Sequence, residues 1–457
     1  MPSAFSGIDI AARALRTFEA ALNVTGHNIA NVNTRGYARQ RLEIGQTLPE
    51  QRWTLSGLAM FGTGTFIQGV AQIRDLFLDG RFLEVSSERS KSGTMRDALQ
   101  AVEQVLGEPA SHAISDALNA FFDSWNNLAA NPADEAARID VRIKAATFVS
   151  RVRDAHERLM TQDALLRQQV DATIVRINEL GRRIADLNRE IRQQMAAGAD
   201  PNDAMDQRQV ALEDLSELVD FRTQRMEDGT VQVFIHNHTL VGQIDAFDLP
   251  SGYDPATGTV TDGTRVTQIS GGRLSGLFGG LNALTSYRLQ LDTFVNELRT
   301  QVNNLHVTGI NLNNTTGIDF FSGTNGAADL DLSDDVNADA KNIAAGASGA
   351  PGDGSVALAI ARLREAPLTV LGGRSLATYF ADLVGRIGQD SQSFAQKLDI
   401  QTTLLNQIEQ QRQGVSGVNL DEELSNMVRY QRAFQSAAKV LSVLDQTTEE
   451  LIRAFGR

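Results

Sequence analysis

Apolar residues recur at alternating steps of three and four at both ends of the chain. Ile8, Ala11, Leu15, Phe18, Leu22, Thr25 and Ile29 do so near the start, and Met427, Tyr430, Phe434, Ala437, Leu441, Leu444, Thr448, Leu451 and Phe455 near the end. That spacing puts each set on one stripe of an α-helix, and the two stripes can bury each other. Asn419, followed by Asp421 and Glu422, predicts the start of the last helix, where an amide cap and first-turn carboxylates satisfy free N–H groups. Gly456 is placed to end it.

The middle of the chain carries a third helical signal. Val170, Ile177, Leu180, Ile184, Leu187 and Ile191 form a heptad-like seam with polar residues between. No proline falls between Pro2 and Pro49, between Pro132 and Pro201, or after Pro367, so long helices are permitted in all three windows. A helix of roughly 45 residues would span about 70 Å. Elsewhere the texture changes. From Asp220 to about Ser270, short β-branched runs are punctuated by Asp228-Gly229 and Asp262-Gly263, the pattern of a small β module. A second strand-rich patch runs from Thr54 to Ile73, and helix returns from Leu281 to His306. Residues 307–355 are rich in Gly, Asn, Asp and Ala without a period and read as a surface connection.

The fold class is therefore mainly α with β modules (α+β), with four parts. Residues 1–50 with 415–457 form a terminal helical pair. Residues 51–218 with 271–310 and 355–414 form a helical domain that includes the β-rich patch at 54–73. Residues 219–270 are a small β domain, and residues 311–354 a surface loop region.

Charge and candidate chemistry narrow the function by exclusion. The 457 residues carry 42 Lys and Arg against 56 Asp and Glu, a net charge of −14, which works against a phosphate-binding surface. The absence of cysteine excludes disulfides, thiolate nucleophiles and cysteine-ligated zinc. The N-terminal residues lack the basic start and apolar core of a secretory signal, and no run reaches the about 18 apolar residues of a membrane span. A cytoplasmic protein, or one exported without a cleaved signal, is expected.

His236 and His238, two apart on a predicted strand with Asp245 nearby, outline a metal-dependent hydrolase; a solvent-facing hairpin accounts for them without a third ligand. Asp329, Asp331, Asp334 and Asp335 imitate a calcium loop, but its sixth and twelfth positions are Asp334 and Ala340. Gly62-Thr63-Gly64 opens no dinucleotide fingerprint, because Ile67 holds the third glycine's place. Nothing assembles a nucleophile, base and oxyanion hole, and no enzyme activity, cofactor or metal is expected.

One polar tract stands apart. From Leu22 to Gln40 four asparagines, Asn23, Asn28, Asn31 and Asn33, accumulate where an amphipathic helix ends, more than an ordinary capped turn needs. Asn28-Ile29-Ala30-Asn31 followed by Thr34-Arg35-Gly36-Tyr37 resembles the N-terminal signature of the bacterial flagellar axial proteins, the rod, hook and hook-associated family. Arg39-Gln40 favours the hook-associated type, which joins hook to filament. Ser416 to Leu424, continuing through Tyr430-Gln431 and Phe434 to Leu441, is similar to that family's C-terminus. Asp206-Gln207-Arg208, Val302 to His306 and Gly317 to Phe321 resemble internal segments, so the likeness spans nearly the whole chain. Longer members carry an extra β domain after the Phe-Phe pair, for which there is little room before Ile343.

The resemblance implies an elongated, multidomain structural subunit at the hook-filament junction, with a hook or rod subunit as the alternative. Its two chain ends would pair as a coiled coil and pack into a tube around the export channel, ordering on assembly. The implied partners are copies of itself in a ring, the hook protein on one side and the next hook-associated protein on the other. A cytoplasmic export chaperone would hold the C-terminal helix beforehand, and the final location would be the extracellular flagellum. The implied packing residues are Ile8, Leu15, Phe18, Leu22, Asn28, Ile29, Asn31, Gly36, Tyr37, Arg39 and Gln40, together with Asn419, Leu420, Leu424, Met427, Tyr430, Phe434, Leu441, Leu444 and Leu451.

Overall fold

The computed structural model describes residues 4–54, 57–106 and 114–455. Helix α1 (Ala4–Ala30) is followed by strands β1 (Gln40–Gln46), β2 (Glu50–Thr54), β3 (Gly57–Phe61) and β4 (Thr65–Gln72). Helices α2 (Leu76–Leu106), α3 (Ile114–Ala130), α4 (Glu135–Ala196) and α5 (Asn202–Leu218) come next, then β5 (Arg222–Arg225), β6 (Val231–Ile235), β7 (His238–Val241), β8 (Gly252–Asp254), β9 (Thr259–Thr261) and β10 (Val266–Gln268). Helix α6 (Gly272–His306) precedes the short strands β11 (Phe321–Ser322) and β12 (Asp331–Leu332). The chain closes with α7 (Asp334–Ala338), α8 (Ser355–Arg362), α9 (Leu376–Ser416) and α10 (Leu420–Phe455). The Gly456 stop signal and the side chain of Phe455 lie outside the described residues.

The chain divides into two compact units, one made of Met1–Ser87, Arg176–Leu249 and Gln401–Arg457, the other of Glu88–Val175 and Pro250–Ile400. The first unit holds α1, α5, α10 and the sheets β1-β4, β2-β3 and β5-β6-β7. On the part of the 62-residue α4 within it, Ile177, Leu180, Ile184, Leu187 and Ile191 are buried and form its core-facing stripe. Asn188 binds both sides of the Val231 peptide, accepting from its N–H at 3.1 Å and donating to its carbonyl at 2.8 Å, so α4 fixes the register of β6.

The second unit is built on aromatic packing. Phe121, Phe122, Trp125, Phe148, Phe320 and Phe321 are all at 0–1% exposure, with Phe320 and Phe321 edge to face at 4.8 Å and Trp125 5.2 Å from Phe320. Residues 311–354 are therefore not a surface connection. Their Phe320, Leu330, Leu332, Val336 and Ile343 are buried, and Asn303 on α6 receives the N–H groups of Phe320 and Phe321 while donating to the Phe321 carbonyl. A segment without periodicity enters the core because side-chain amides and Asx turns, in place of a helix or wide sheet, satisfy its backbone.

The expected single β domain at 219–270 is two separate three-stranded sheets, β5-β6-β7 in the first unit and β8-β9-β10 in the second. The first strand-rich patch also begins earlier than Thr54, since β1 starts at Gln40 and pairs antiparallel with β4. His236 is not on a strand. It takes φ +50° in the turn between β6 and β7, whereas His238 opens β7 with Nε2 3.1 Å from the Phe247 carbonyl, so the two imidazoles do not share a strand face. Among the described residues no three His, Asp or Glu side chains gather to hold a metal ion, and no helix is long and apolar enough to cross a membrane.

Candidate functional site

Helix α1 ends at Ala30 in a run of local hydrogen bonds. Asn31 donates from Nδ2 to the His27 carbonyl at 3.0 Å, Thr34 donates to Asn31 Oδ1 at 3.1 Å, and the N–H of Tyr37 reaches the Thr34 carbonyl. Gly36 takes φ +78°, and a Cβ there would lie 2.2 Å from Cγ2 of Val210 on α5, so both backbone and packing demand glycine. The turn brings the Tyr37 ring into a stack on His27, 5.5 Å between centroids.

Asn28 is the hub of this turn. Its Oδ1 accepts from Tyr37 Oη at 2.8 Å and from the Gln40 N–H at 2.9 Å. Its Nδ2 donates to the Gln40 carbonyl at 2.9 Å and to Glu423 Oε2 at 3.2 Å. Both lone pairs and both donors of a buried carboxamide are thus used, which fixes its orientation. Burial, with Asp206, Asp203 and Glu423 nearby, pushes the Tyr37 phenol far above its usual value and keeps it a donor.

The same Glu423 meets Arg39. Nε of Arg39 donates to Glu423 Oε1 at 2.8 Å, Nη2 and Nη1 donate to Glu422 at 2.9 and 3.2 Å, and the Arg39 N–H reaches the Ser416 carbonyl at 2.9 Å. Asn419 caps α10 by accepting from the N–H groups of Asp421 and Glu422, which orients that first turn toward Arg39. The carboxylate of Glu423 sits 2% exposed at the start of α10, where the free N–H groups of a helix favour negative charge.

Around this lock runs a second layer of ion pairs. Arg74 donates to the Gly36 carbonyl at 2.7 Å and to Asp206 at 2.6 Å, and pairs with Asp79 at 3.4 Å. Arg412, on α9, reaches Asp79 at 2.9 Å, Glu213 at 2.6 Å and Glu409 at 3.1 Å while lying over the Phe82 ring. Burial pushes the Asp206 carboxyl up, against the lowering by Arg74. For Arg412 burial is the largest influence and lowers its pKa, but Glu213, Asp79 and Glu409 together leave it raised. Arg74, Asp79, Phe82, Glu213, Glu409 and Arg412 border a cleft of about 1100 Å³ between the Val32–Arg39 turn and the Gly414–Leu420 stretch.

The implied packing residues fall into three groups. Asn28, Asn31, Gly36, Tyr37, Arg39, Gln40 and Asn419 come together in the lock. Ile8, Leu15, Phe18, Leu22 and Ile29 on α1, and Met427, Tyr430, Phe434, Leu441 and Leu444 on α10, are half-buried along the seam of the two helices. Leu420, Leu424 and Leu451 are exposed. The fully buried positions are small or polar: Ala11, Thr17, Ala21, Thr25 and Asn28 on one helix, Glu423, Ala437 and Thr448 on the other. Only small side chains fit where two backbones approach, as at Gly7, whose Cβ would stand 3.1 Å from Leu444 Cδ1. Larger ones lie along the rims, where a pair of helices covers them by half.

Spacing alone did not expose Arg74, Asp79, Glu213, Arg412 or Glu423 as site residues. Their usable signal is a polar stripe: Asp206 and Glu213, seven apart, share one face of α5 where apolar residues would be expected.

Family models match three stretches of the chain. The model of the flagellar hook-associated protein FlgK helical domain matches residues 99–321, that of the flagella basal body rod protein residues 8–37, and that of the flagellar basal body rod FlgEFG protein C-terminal residues 409–454. The two terminal matches contain α1 with Asn28 and Tyr37, and α10 with Glu422 and Glu423. Paired chain ends with these domains are similar to those of flagellar axial proteins. Flagellar hook-associated protein 1 of Bacillus subtilis (strain 168) is 28% identical over 503 residues, covering 100% of this chain and 99% of the relative. The protein of that name from Salmonella typhimurium is 25% identical over 554 residues, covering 97% and 99%; this alignment is longer than the present 457 residues, so the relative has stretches this chain lacks. The solved flagellar hook junction protein FlgK from Burkholderia pseudomallei shares the fold, with a TM-score of 0.64 at 15% identity over 74% of this chain and 100% of that one. Over nearly its whole length, the chain is similar to the hook-associated protein 1 (FlgK) relatives.

Proposed function

We propose that the chain is a non-enzymatic structural subunit of the bacterial flagellum, joining hook to filament and built in through α1 and α10. The observation that carries this reading is the distribution of apolar residues on α10. Ala437, Leu441, Leu444 and Thr448 follow the stripe that α1 covers. Val440, Val443 and Leu451 form a second stripe and Leu420, Leu424 and Val428 a third, at 43–52% exposure. A helix apolar on several sides belongs inside a bundle, so more helices than α1 are needed to cover it.

Copies of this chain packed in a ring supply those helices, with the hook protein on one side and the next hook-associated protein on the other. An export chaperone covering α10 before assembly answers the same exposure. The hook-associated reading is favoured over a rod or hook subunit by the helical-domain match at residues 99–321 and by the names of the full-length relatives. Electron microscopy of a strain lacking the gene tests it: hooks without filaments are expected, and a strain without hooks would support the rod or hook alternative instead.

A further inference from the structure

The seam between α1 and α10 repeats along its length. Its apolar positions recur every seven residues on both helices, as at Ile8, Leu15 and Leu22 on α1 and Phe434, Leu441 and Thr448 on α10. Such a repeat keeps one face toward the partner, and it offers an equivalent face after a slide of seven residues, about 10 Å along the axis. Two contacts define the register of this antiparallel pair. Asn28 meets Glu423 and Gly7 lies against Leu444, contacts that stand 21 residues apart on both helices. In that register the 27 residues of α1 lie opposite 421–447 of the 36-residue α10. A slide of one heptad would set them opposite 428–454, still inside α10, so the length of overlap does not choose between the two.

Polar contacts do choose. Among the described residues, no hydrogen bond or ion pair joins residues 7–27 of α1 to residues 424–454 of α10, whereas Asn28 Nδ2 donates to Glu423 Oε2 at 3.2 Å. Both residues are buried, at 1% and 2% exposure. Their orientation is fixed from the other side. Asn28 Oδ1 is held by Tyr37 and the Gln40 N–H, which aims Nδ2 at α10, and Glu423 Oε1 is held by Arg39. One heptad along α10 from Glu423 stands Tyr430, so a slid pair would bring Asn28 no carboxylate and would draw Glu423 away from it. A single buried polar contact in an apolar seam can specify register in this way.

We propose that Asn28 and Glu423 are positioning residues that set the register of the α1–α10 pair, beyond their part in holding it together. The assignment comes from the helix pair itself and does not depend on the flagellar reading. Its consequence for that reading is that a slid subunit would carry the exposed Val440, Val443 and Leu451 stripe about 10 Å out of place.

The chain has no cysteine of its own, so introduced thiol pairs report register directly. Purified full-length chains carrying Ile8→Cys with Leu444→Cys, or Ile8→Cys with Leu451→Cys, are treated with a short bis-maleimide, and intramolecular products are identified by peptide mass. With Glu423 intact the first pair should link and the second should not. Glu423→Gln keeps an oxygen for Asn28 and should retain that pattern. Glu423→Leu removes it while leaving Asn28 its bonds to Tyr37 and Gln40, and linkage should move to the second pair; Glu423→Ala gives the same readout should the leucine variant fail to fold. Linkage that stays with the first pair in these variants would overturn the proposal, because the apolar seam would then fix register by itself. Linkage lost from both pairs would overturn it as well, since the contact would then hold the helices together without choosing their register.

Discussion

Arg39 and Glu423 are joined by an Nε–Oε1 contact of 2.8 Å across 384 residues of chain. The contact ties the turn after α1 to the first turn of α10, and with Asn28 it makes the two chain ends a single structural object. Its energetic meaning follows from burial: Arg39 retains 19% side-chain exposure and Glu423 only 2%, so the Glu423 charge depends on its partners in the protein in place of water.

Arg39→Ala should destabilise the assembled protein by about 3–5 kcal/mol, because it strands a buried carboxylate. Glu423→Gln in the same background should recover part of the loss by removing that charge. A double-mutant cycle on thermal dissociation of the assembled protein measures the coupling. A value above about 1 kcal/mol is expected for residues in one network, and simple additivity would count against the lock.

Gly36→Ala should cost more than a left-handed φ alone. The conformation contributes about 1 kcal/mol, and the 2.2 Å approach to Val210 adds a steric part. Trimming Val210 to Ala alongside Gly36→Ala should remove the steric part and leave the conformational one, read as a partial recovery of unit stability by denaturant titration.

These two predictions show where the sequence was legible. The stripes on α1, α4 and α10, the Asn419 cap and the signature around Asn28 follow from period and residue type, because helix packing writes itself into spacing. The ion pairs of Arg74, Asp79, Glu213 and Arg412 unite α2, α5 and α9, and no local rule links residues so far apart. Residues 311–354 were illegible for another reason. Their buried Phe320 and Leu330 are held by Asn303 and Asx turns, which have no period to detect.

His306 should make the second unit acid-sensitive. Its Nδ1 lies 2.6 Å from the Ile318 carbonyl and its Nε2 accepts from the Ala344 N–H at 3.0 Å, an arrangement of the neutral ring. Burial, opposed by the Ile318 carbonyl and Asp319, drops its pKa to about 4 from 6.5. The unfolded chain therefore binds the proton more readily. Stability is full above about pH 6.5 and is lost as pH falls toward 4, by on the order of 3 kcal/mol. Thermal unfolding followed through buried Trp125, 6.2 Å from His306, should show this fall, and His306→Gln should flatten it.

The helical pair should be weakly held in an isolated monomer, since its large side chains are only half covered. Amides of α1 and α10 should exchange much faster than those of α3, whose Phe121 and Trp125 are fully buried. Equal protection in a monomer would argue that the pair needs no neighbours. In the assembled state Phe434→Ala or Leu441→Ala should cost about 2–5 kcal/mol, seen as filaments that detach from hooks.

Location is the most direct test of the central claim. Immunogold labelling of flagella carrying an epitope-tagged, motility-competent version of this chain should place gold at the distal boundary of the hook, where the filament begins. Gold spread along the hook, confined to the rod, or absent from flagella of motile cells would contradict a hook-filament adaptor.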